Sequence, residues 1–217
     1  MRPKKASASP VSPEDKDPIR RRILAAAFKS FTEKGYAGTS TLEIATRAKV
    51  SKRDLYATVG DKRAVLVACI TSRTSRMELR PELPVPRSRH ELASILDAYA
   101  TRLMREVSHP TVMAMFRLAI AEAIRSPEIA QTLQAAGRDA TRGKLTDLFR
   151  SAQSARLIGA GNRLEMATQY LGLLWEDLMV SLLLGLIAAP SDVEIKRRAA
   201  KATGAFLALH AKPGAEA

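Results

Sequence analysis

Hydrophobic residues recur every three to four positions along this chain, and polar capping residues separate the recurring stretches. The first stretch follows Asp17 and Pro18, an N-cap with proline in the first turn, and it stops at Gly35, a common helix end. Further helix starts carry a capping oxygen with an acid three residues later, at Ser40/Glu43, Ser51/Asp54, Ser88/Glu91, Asn162/Glu165 and Ser191/Glu194. No sustained period-2 alternation predicts a strand. The pattern predicts an all-α fold of about nine helices, at 18–34, 41–48, 52–58, 62–79, 89–107, 110–125, 127–154, 163–187 and 191–210.

The order of these helices predicts two domains. Residues 1–16 are rich in Pro, Ser and charge, and we expect a disordered basic tail there. A three-helix domain follows at 17–66, and 67–88 hold a linking helix and a linker with three prolines. Residues 89–212 form a second helical domain. Gly137 and Gly143 weaken the helix predicted at 127–154, which leaves its division into two pieces open.

Charge is unevenly distributed along the chain. The net charge is +13; up to residue 80 there are 18 Lys+Arg against 8 Asp+Glu, and beyond it 17 against 14. Such asymmetry suggests that the first segment meets a polyanion, although a solvated basic face would look the same. The single cysteine, Cys69, excludes an intramolecular disulfide and fits a reducing cytoplasm. No apolar stretch follows the basic start, so we expect no secretory signal and a cytoplasmic protein.

The most apolar stretch, at residues 171–189, raises the question of a membrane span. Glu176 and Asp177 lie near its middle, where a bilayer would cost roughly 2.5–3.5 kcal/mol for an acid such as Asp. The stretch therefore predicts a helix buried in a core or an oligomer interface, and no membrane partner.

The spacing within residues 39–66 predicts a helix-turn-helix. The helix at 41–48 would turn Leu42, Ile44 and Ala45 inward, Val50 would fill the corner after it, and the next helix would bury Leu55 and then Val59. In a helix-turn-helix the second helix enters the major groove by its N-terminal end, where Arg or Lys can donate to guanine. The predicted DNA contacts are Thr39, Ser40, Thr41, Ser51, Lys52, Arg53, Tyr56, Thr58 and Lys62.

Residues 19–66 resemble the N-terminal domain of the TetR/AcrR family of bacterial transcriptional regulators. The resemblance rests on Ile23, Leu24, Ala26, Phe28, Phe31, Gly35, Tyr36, Thr39, Ser40, Ile44, Ala45, Ala48, Val50, Ser51, Leu55, Tyr56, Lys62 and Ala64. It implies a homodimer with two recognition helices on a palindromic operator, released when a small molecule binds the C-terminal domain. It also implies that Lys52 and Arg53 read bases, and that Tyr56, Lys62 and the start at 39–41 hold phosphates.

The resemblance breaks at the turn and at the end of the recognition helix. Lys49 stands where glycine is usual. Either its backbone adopts a left-handed conformation, which costs a residue with a side chain about 1 kcal/mol, or the turn bends otherwise. Ala57 and Thr58 replace larger aromatic or His residues, which shortens the reach towards bases, and Val59 replaces a larger Phe.

Two later segments, PTVMAMFRLAIAEAIRSPEIAQTL and LGLLWEDLMVSLLLGL, are similar to the AefR-like C-terminal subgroup of this family. Apolar residues at helical spacing are typical of a core, and methionines also suit an adaptable pocket for a largely apolar inducer. The predicted pocket residues are Tyr99, Leu103, Met113, Phe116, Ile120, Phe149, Tyr170, Leu174 and Asp177. Glu176 or Asp177 entering the pocket would favour a cationic or hydrogen-bond-donating inducer; the alternative is partial exposure or pairing with Arg163 or Arg117.

The last two predicted helices favour a dimer. The helix at 163–187 is apolar nearly all round and must be covered on two sides, and 191–210 repeats apolar residues in a 4-3-4-3 seam suited to another helix. Pairing both with their symmetry mates gives a four-helix bundle, which the resemblance also implies. The predicted interface residues are Trp175, Leu178, Leu182, Ile195, Ala199, Ala202 and Phe206.

The patterns that would indicate an enzyme are missing from the sequence. His90, His109 and His210 lie at helix edges, and no HExxH, CxxC or phosphate-loop pattern occurs. We therefore predict no catalysis, no cofactor and no metal. The sequence predicts a ligand-responsive transcriptional regulator, by default a repressor, with a sequence-neutral architectural DNA-binding protein as the alternative.

Overall fold

The computed structural model describes residues 17–76 and 83–211, which contain helices and no strand. The all-α prediction is confirmed for these residues. The helices are α1 Pro18–Lys34, α2 Thr41–Ala48, α3 Lys52–Thr58, α4 Lys62–Arg76, α5 Arg89–Val107, α6 Pro110–Glu122, α7 Pro127–Leu133, α8 Ala140–Ser154, α9 Arg163–Trp175, α10 Leu178–Leu184 and α11 Asp192–Leu209. A π-helical segment, Gln134–Asp139, joins α7 to α8. The predicted tail at 1–16 lies outside the described residues.

The chain divides into two compact units between Arg73 and Thr74, within α4. The sequence placed the boundary later, at the proline-rich residues 80–87, of which 80–82 lie outside the described residues. The domain limits predicted from the sequence stay predictions. Among the described residues, no helix is both long enough and apolar enough to cross a bilayer.

The first unit contains α1, α2, α3 and most of α4, and its core is formed by the buried faces of these helices. Ile23 and Phe31 of α1, Ile44 of α2 and Leu55 of α3 are almost wholly buried, and α1 contacts both α2 and α3. One part of the predicted packing was wrong. Leu42 is 62% exposed because α2 turns only Ile44, Ala45 and Ala48 inward. Val50 and Val59 are partly buried.

The second unit has its core between α5, α8, α9 and α11. Phe149 and Phe206 stack with ring centroids 4.6 Å apart, and Tyr170 meets Phe206 edge-on at 5.4 Å. The Tyr170 hydroxyl donates to the Leu96 carbonyl at 3.0 Å, which satisfies a polar group that would otherwise be costly to bury. Aromatic contacts therefore tie α8, α9 and α11 together.

Two long predicted helices are interrupted. The helix expected at 127–154 consists of α7, the π-helical segment and α8, and the interruption includes Gly137, a residue type with low helix propensity. The helix expected at 163–187 was wrong as a single element, because a turn at Glu176 and Asp177 ends α9 at Trp175 and α10 begins only at Leu178.

Candidate nucleic-acid interface

The turn between α2 and α3 is fixed by backbone hydrogen bonds at the end of α2. The Val50 N–H donates to the Ala45 carbonyl at 3.0 Å, and the Lys49 N–H donates to the Thr46 carbonyl at 3.1 Å. This pair of bonds is the Schellman motif, which requires a left-handed residue directly after the helix. Lys49 is that residue, with φ 55° and ψ 49°. Of the two turn conformations that the sequence left open, the left-handed one is present.

A capping box starts α3. The Ser51 hydroxyl accepts from the Asp54 N–H at 3.0 Å, and the Asp54 carboxylate accepts from the Ser51 N–H at 3.3 Å and from the Ser51 hydroxyl at 2.7 Å. The hydrogen bonds from Ser51 lower the pKa of Asp54. Both side chains are therefore used to fix the first turn of α3, the end of the helix that would meet a groove.

The face of α3 opposite its buried side carries the basic pair. Leu55 is fully buried, whereas Lys52 and Arg53 are exposed and Tyr56 is 45% exposed. The Lys52 ammonium lies 5.8 Å from the centre of the Tyr56 ring, within the range of a cation–π contact. The Tyr56 hydroxyl lies 3.5 Å from the Thr41 hydroxyl, a long contact between α3 and the start of α2. The structure thus brings together four of the predicted DNA contacts, with Ser40 capping α2 beside them.

Lys62 is positioned by the segment before α2. Its ammonium lies 4.4 Å from the centre of the Tyr36 ring and 3.5 Å from the Ala37 carbonyl. Asp61 caps α4, accepting from the Ala64 N–H at 2.8 Å. An ammonium has three donors. Lys62 therefore has donors left for an anion approaching this side of the unit.

Two of the predicted contact residues are placed differently from the rest. Thr39 is 2% exposed, and its hydroxyl donates to the Gly35 carbonyl at 2.8 Å. Its side chain therefore stabilises the turn before α2. Thr58 is partly buried, and its carbonyl accepts from the Arg20 guanidinium of α1 at 3.4 Å. Sequence reasoning missed Arg20, because a contact across 38 residues leaves no local pattern.

Ion pairs between α1 and α2 were also missed. Glu33 and Arg47 are 2.8 Å apart, and Lys34 and Glu43 are 2.9 Å apart. These pairs bridge two helices whose relative register is not visible in the sequence. They hold α2 on α1 and thereby position the turn and α3.

Two family models match the chain. The model of bacterial regulatory proteins of the tetR family matches residues 23–69, and the model of the C-terminal domain of AefR-like transcriptional repressors matches residues 94–212. This chain belongs to the TetR family. No curated protein matches it in sequence.

Solved structures of TetR-family proteins share the fold over most of the chain. A protein from Mesorhizobium loti assigned to the family is 25% identical, with a TM-score of 0.77 over 93% of this chain and 100% of that one. The flavonoid-responsive regulator FrrA is 27% identical, with a TM-score of 0.76 over 91% and 98% of the two chains. A TetR transcriptional regulator from Agrobacterium tumefaciens is 28% identical, with a TM-score of 0.76 over 90% and 96%.

The predicted pocket residues of this TetR-family chain split into a buried set and an exposed pair. Ile120 is 58% exposed and Asp177 is also exposed, so the structure places neither inside the second unit. Phe116 is partly buried against the core. The others are buried together in the core: Tyr99, Leu103, Met113, Phe149, Tyr170 and Leu174.

None of these residues lines either of two cavities in the second unit. A cavity of about 440 Å³ is lined by Asp97, Ala98, Thr101, Arg102, Arg105 and Lys196. Another, of about 630 Å³, is lined by Gln153, Arg156, Ile158, Gly159, Ala160, Gly161 and Arg163. The buried set lies among the core residues of the second unit, and its assignment to a ligand pocket stays a prediction.

The predicted dimer seam lies inside the chain's own core. The seam residues Leu178, Leu182, Ile195, Ala199, Ala202 and Phe206 are at most 3% exposed, and Trp175 is partly buried. The reason is that α11 packs this seam against α5 and α9 of the same chain. The opposite side of α11 is exposed at Arg197, Ala200, Gly204 and Ala208.

Glu176 is paired, although with neither of the arginines suggested from the sequence. Its carboxylate accepts from Lys201 at 2.7 Å and from Arg198 at 3.3 Å, both on α11. These partners, Lys201 first, lower the pKa of Glu176. Arg117 instead donates to backbone carbonyls at the end of α10. The placement of Glu176 gives no support to a role in a pocket.

Proposed function

We propose that this TetR-family protein is a ligand-responsive repressor that binds a palindromic operator as a homodimer. The observation that carries the proposal is the exposed pair Lys52 and Arg53 on the first turn of α3, which the Ser51/Asp54 capping box holds in place. A helix start of this kind suits entry into a major groove. A net charge concentrated in the first 80 residues supports an anionic partner.

In this proposal Arg53 reads a guanine and Lys52 contacts a neighbouring base, because both can donate to guanine O6 and N7. Ser40, Thr41, Tyr56 and Lys62 contact phosphates on either side of the groove. Ser51 and Thr58 contribute through the helix start and end that they form. We leave the Thr39 side chain out of the interface, since it is buried and its hydroxyl is bonded to Gly35.

The proposed dimer uses the outer face of α9 and α11 in place of the seam predicted from the sequence. On α9 this face carries Leu164 and Thr168, and on α11 it carries Ala200, Gly204 and Ala208, all exposed. Small side chains allow two helices to approach closely, and an isologous contact places two copies of α3 on opposite half-sites. Half-sites about 34 Å apart, or a small multiple, would fit such a dimer.

The proposed inducer is a largely apolar small molecule that binds the second unit and favours a dimer spacing that does not fit the operator. The support is an apolar core with two buried tyrosines, Tyr99 and Tyr170, that could offer polar contacts after repacking. The name of the similar FrrA describes a response to flavonoids, which makes flavonoids a reasonable first class to screen. A ligand acts in this way only if it binds the two spacings with different affinities.

The test is selection of bound duplexes from a random pool, followed by titration of the winner at two salt concentrations. A regulator should favour a palindrome by about 10³-fold or more over scrambled DNA. For Arg53→Ala we expect a loss of about 1–3 kcal/mol confined to one base step. Lys62→Ala should weaken all duplexes similarly and reduce the salt slope. Lys196→Ala, which removes one charge from α11, is the matched control and should change neither the affinity for any duplex nor the salt slope.

Two results would contradict this assignment. If no duplex is preferred and every duplex shows a steep salt slope, the protein contacts only the DNA backbone, and the architectural alternative replaces the regulator. If Arg53→Ala and Lys62→Ala weaken all duplexes equally, Arg53 does not read a base.

A further inference from the structure

A turn whose first central residue is Glu176 separates α9 from α10. Glu176 has φ 43° and ψ −122°, and Asp177 has φ −91° and ψ −10°. These are the angles of a type II′ turn, whose first central position has positive φ and favours glycine. A residue with a Cβ is strained there. The apolar stretch at 163–187 is therefore broken at a residue that does not itself favour the break.

Ion pairs to α11 hold Glu176 in this conformation. Its carboxylate lies 2.7 Å from the Lys201 ammonium and 3.3 Å from the Arg198 guanidinium. Arg198 is itself positioned by Glu194, one turn earlier on α11, at 2.8 Å. The strained residue is thus contacted by two side chains of a different helix, one of which is positioned by a third.

The other end of α10 is held by α6. The guanidinium of Arg117 donates to the Leu182 carbonyl at 2.7 Å and to the Leu183 carbonyl at 2.8 Å. These carbonyls belong to the last turn of α10, where helix carbonyls have no partner within the helix, and the Leu182 carbonyl also accepts from the Gly185 N–H at 3.1 Å. The seven residues of α10 are therefore attached to α11 at one end and to α6 at the other.

We propose that Glu176 is a conformational latch, and that its release lets α9 continue into α10 as one helix over residues 163–184. In the released state Glu176 adopts helical angles, which its Cβ prefers, and α10 leaves the position set by Arg117. The apolar character of 163–187 all round the helix, which predicted a single element, suits the released state. Building on the proposed function, the latch is the step by which a change at α6 reaches α9 and α11, the helices of the proposed dimer face.

Two substitutions of the same residue separate the strain from the ion pairs. Glu176→Gly and Glu176→Ala both remove the carboxylate and its pairs, but only alanine keeps a Cβ at positive φ. Glycine accepts the turn and disfavours a helix, whereas alanine does the opposite. The ratio of latched to released chains should therefore differ by about tenfold or more between the two variants.

The adjacent Trp175 is the single tryptophan of the chain, so its fluorescence reports on this turn. In the full-length protein we expect Glu176→Gly to keep the wild-type emission maximum and acrylamide quenching constant, and Glu176→Ala to change both. If the two variants give the same spectrum and the same quenching constant, the latch is wrong.

A second pair of variants covers the case in which Glu176→Ala does not fold. Lys201→Gln removes one ion pair of Glu176 without changing a residue of the turn. It should shift the Trp175 emission maximum and the quenching constant in the same direction as Glu176→Ala. Arg197→Gln is the control, because Arg197 pairs with Glu194 and not with Glu176. Equal Trp175 fluorescence in these two variants would also overturn the latch.

DNA binding separates the latch from the proposed function. With the selected palindrome as probe, Glu176→Ala and Glu176→Gly should differ several-fold in affinity if the latch regulates binding. Equal affinities alongside different fluorescence would overturn the regulatory role. If the wild-type chain prefers no duplex, the proposed function fails, and the fluorescence comparison still decides whether the latch exists.

Discussion

Lys49→Gly should stabilise the first unit, since Lys49 occupies the one left-handed position of the turn between α2 and α3. The Schellman bonds after α2 depend on its φ of 55° and ψ of 49°, angles that cost a residue with a Cβ about 1–2 kcal/mol and glycine almost nothing. The Lys49 side chain is exposed, so its removal opens no cavity. Against this gain stands the greater freedom of glycine in the unfolded chain, about 0.5–1 kcal/mol. The net gain over alanine is about 1 kcal/mol.

The assay is urea and thermal unfolding of the full chain followed by circular dichroism, with Lys49→Ala and Lys49→Asn as controls. Alanine removes the charge and keeps the strain, and asparagine tolerates left-handed angles, so the expected order of stability is Gly, then Asn, then Ala. A gain of about 1 kcal/mol raises the melting temperature by about 2–4 °C if the chain unfolds as one unit, and by about 4–8 °C if the first unit unfolds by itself. The urea m-value should not change.

A glycine variant no more stable than the alanine variant would refute the reasoning. It would mean that the turn relaxes to another conformation in solution at little cost. Operator affinity of the Gly and Ala variants should then be compared, because a relaxed turn would also reorient α3.

Two further predictions concern buried and capping polar groups. Tyr170→Phe removes the hydroxyl that donates to Leu96 and lies 3.2 Å from the Thr203 hydroxyl, so we expect a loss of about 1–3 kcal/mol in urea unfolding, partly recovered in the double variant with Thr203→Val. The lowered pKa of Asp54 means that its capping contribution is present above the ordinary value of 3.8 and is lost as the pH falls through the folded-state pKa. Wild type and Asp54→Asn should therefore differ in melting temperature at neutral pH and converge in acid; a constant difference would contradict this.

Local interactions allowed the helices of the first unit to be predicted from the sequence. The predicted limits of α1, α2 and α3 agree with the structure because capping residues and the helix end at Gly35 act within a few positions of one another. The same holds for the exposed side of α3, since burying Leu55 turns Lys52 and Arg53 outward on a helix of fixed period. What the sequence could not locate there were the contacts of Arg20 and the ion pairs between α1 and α2.

In the second unit the sequence identified the buried faces but not the helices that cover them. The seam of α11, with Ile195, Ala199 and Phe206, is buried as its spacing required, yet against α5 and α9 and not against a second copy. A helical period identifies which side is apolar, but it carries no information about which helix covers that side. Tyr99, Phe149 and Tyr170, which the sequence assigned to a pocket, are likewise buried, and only the tertiary packing decided which helices surround them.

The sequence by itself determined the helical fold, most helix limits and the chemistry of α3, because all three depend on interactions between near neighbours in the chain. The tertiary structure alone decided the break at Glu176. Local propensity favours one continuous helix through that residue, whereas in the fold Lys201 and Arg198 contact it from α11, Arg117 bonds the end of α10 from α6, and Leu178 and Leu182 of α10 are buried in the core. A conformation that opposes local preference is held by contacts distant in the sequence, and such contacts exist only once the chain has folded.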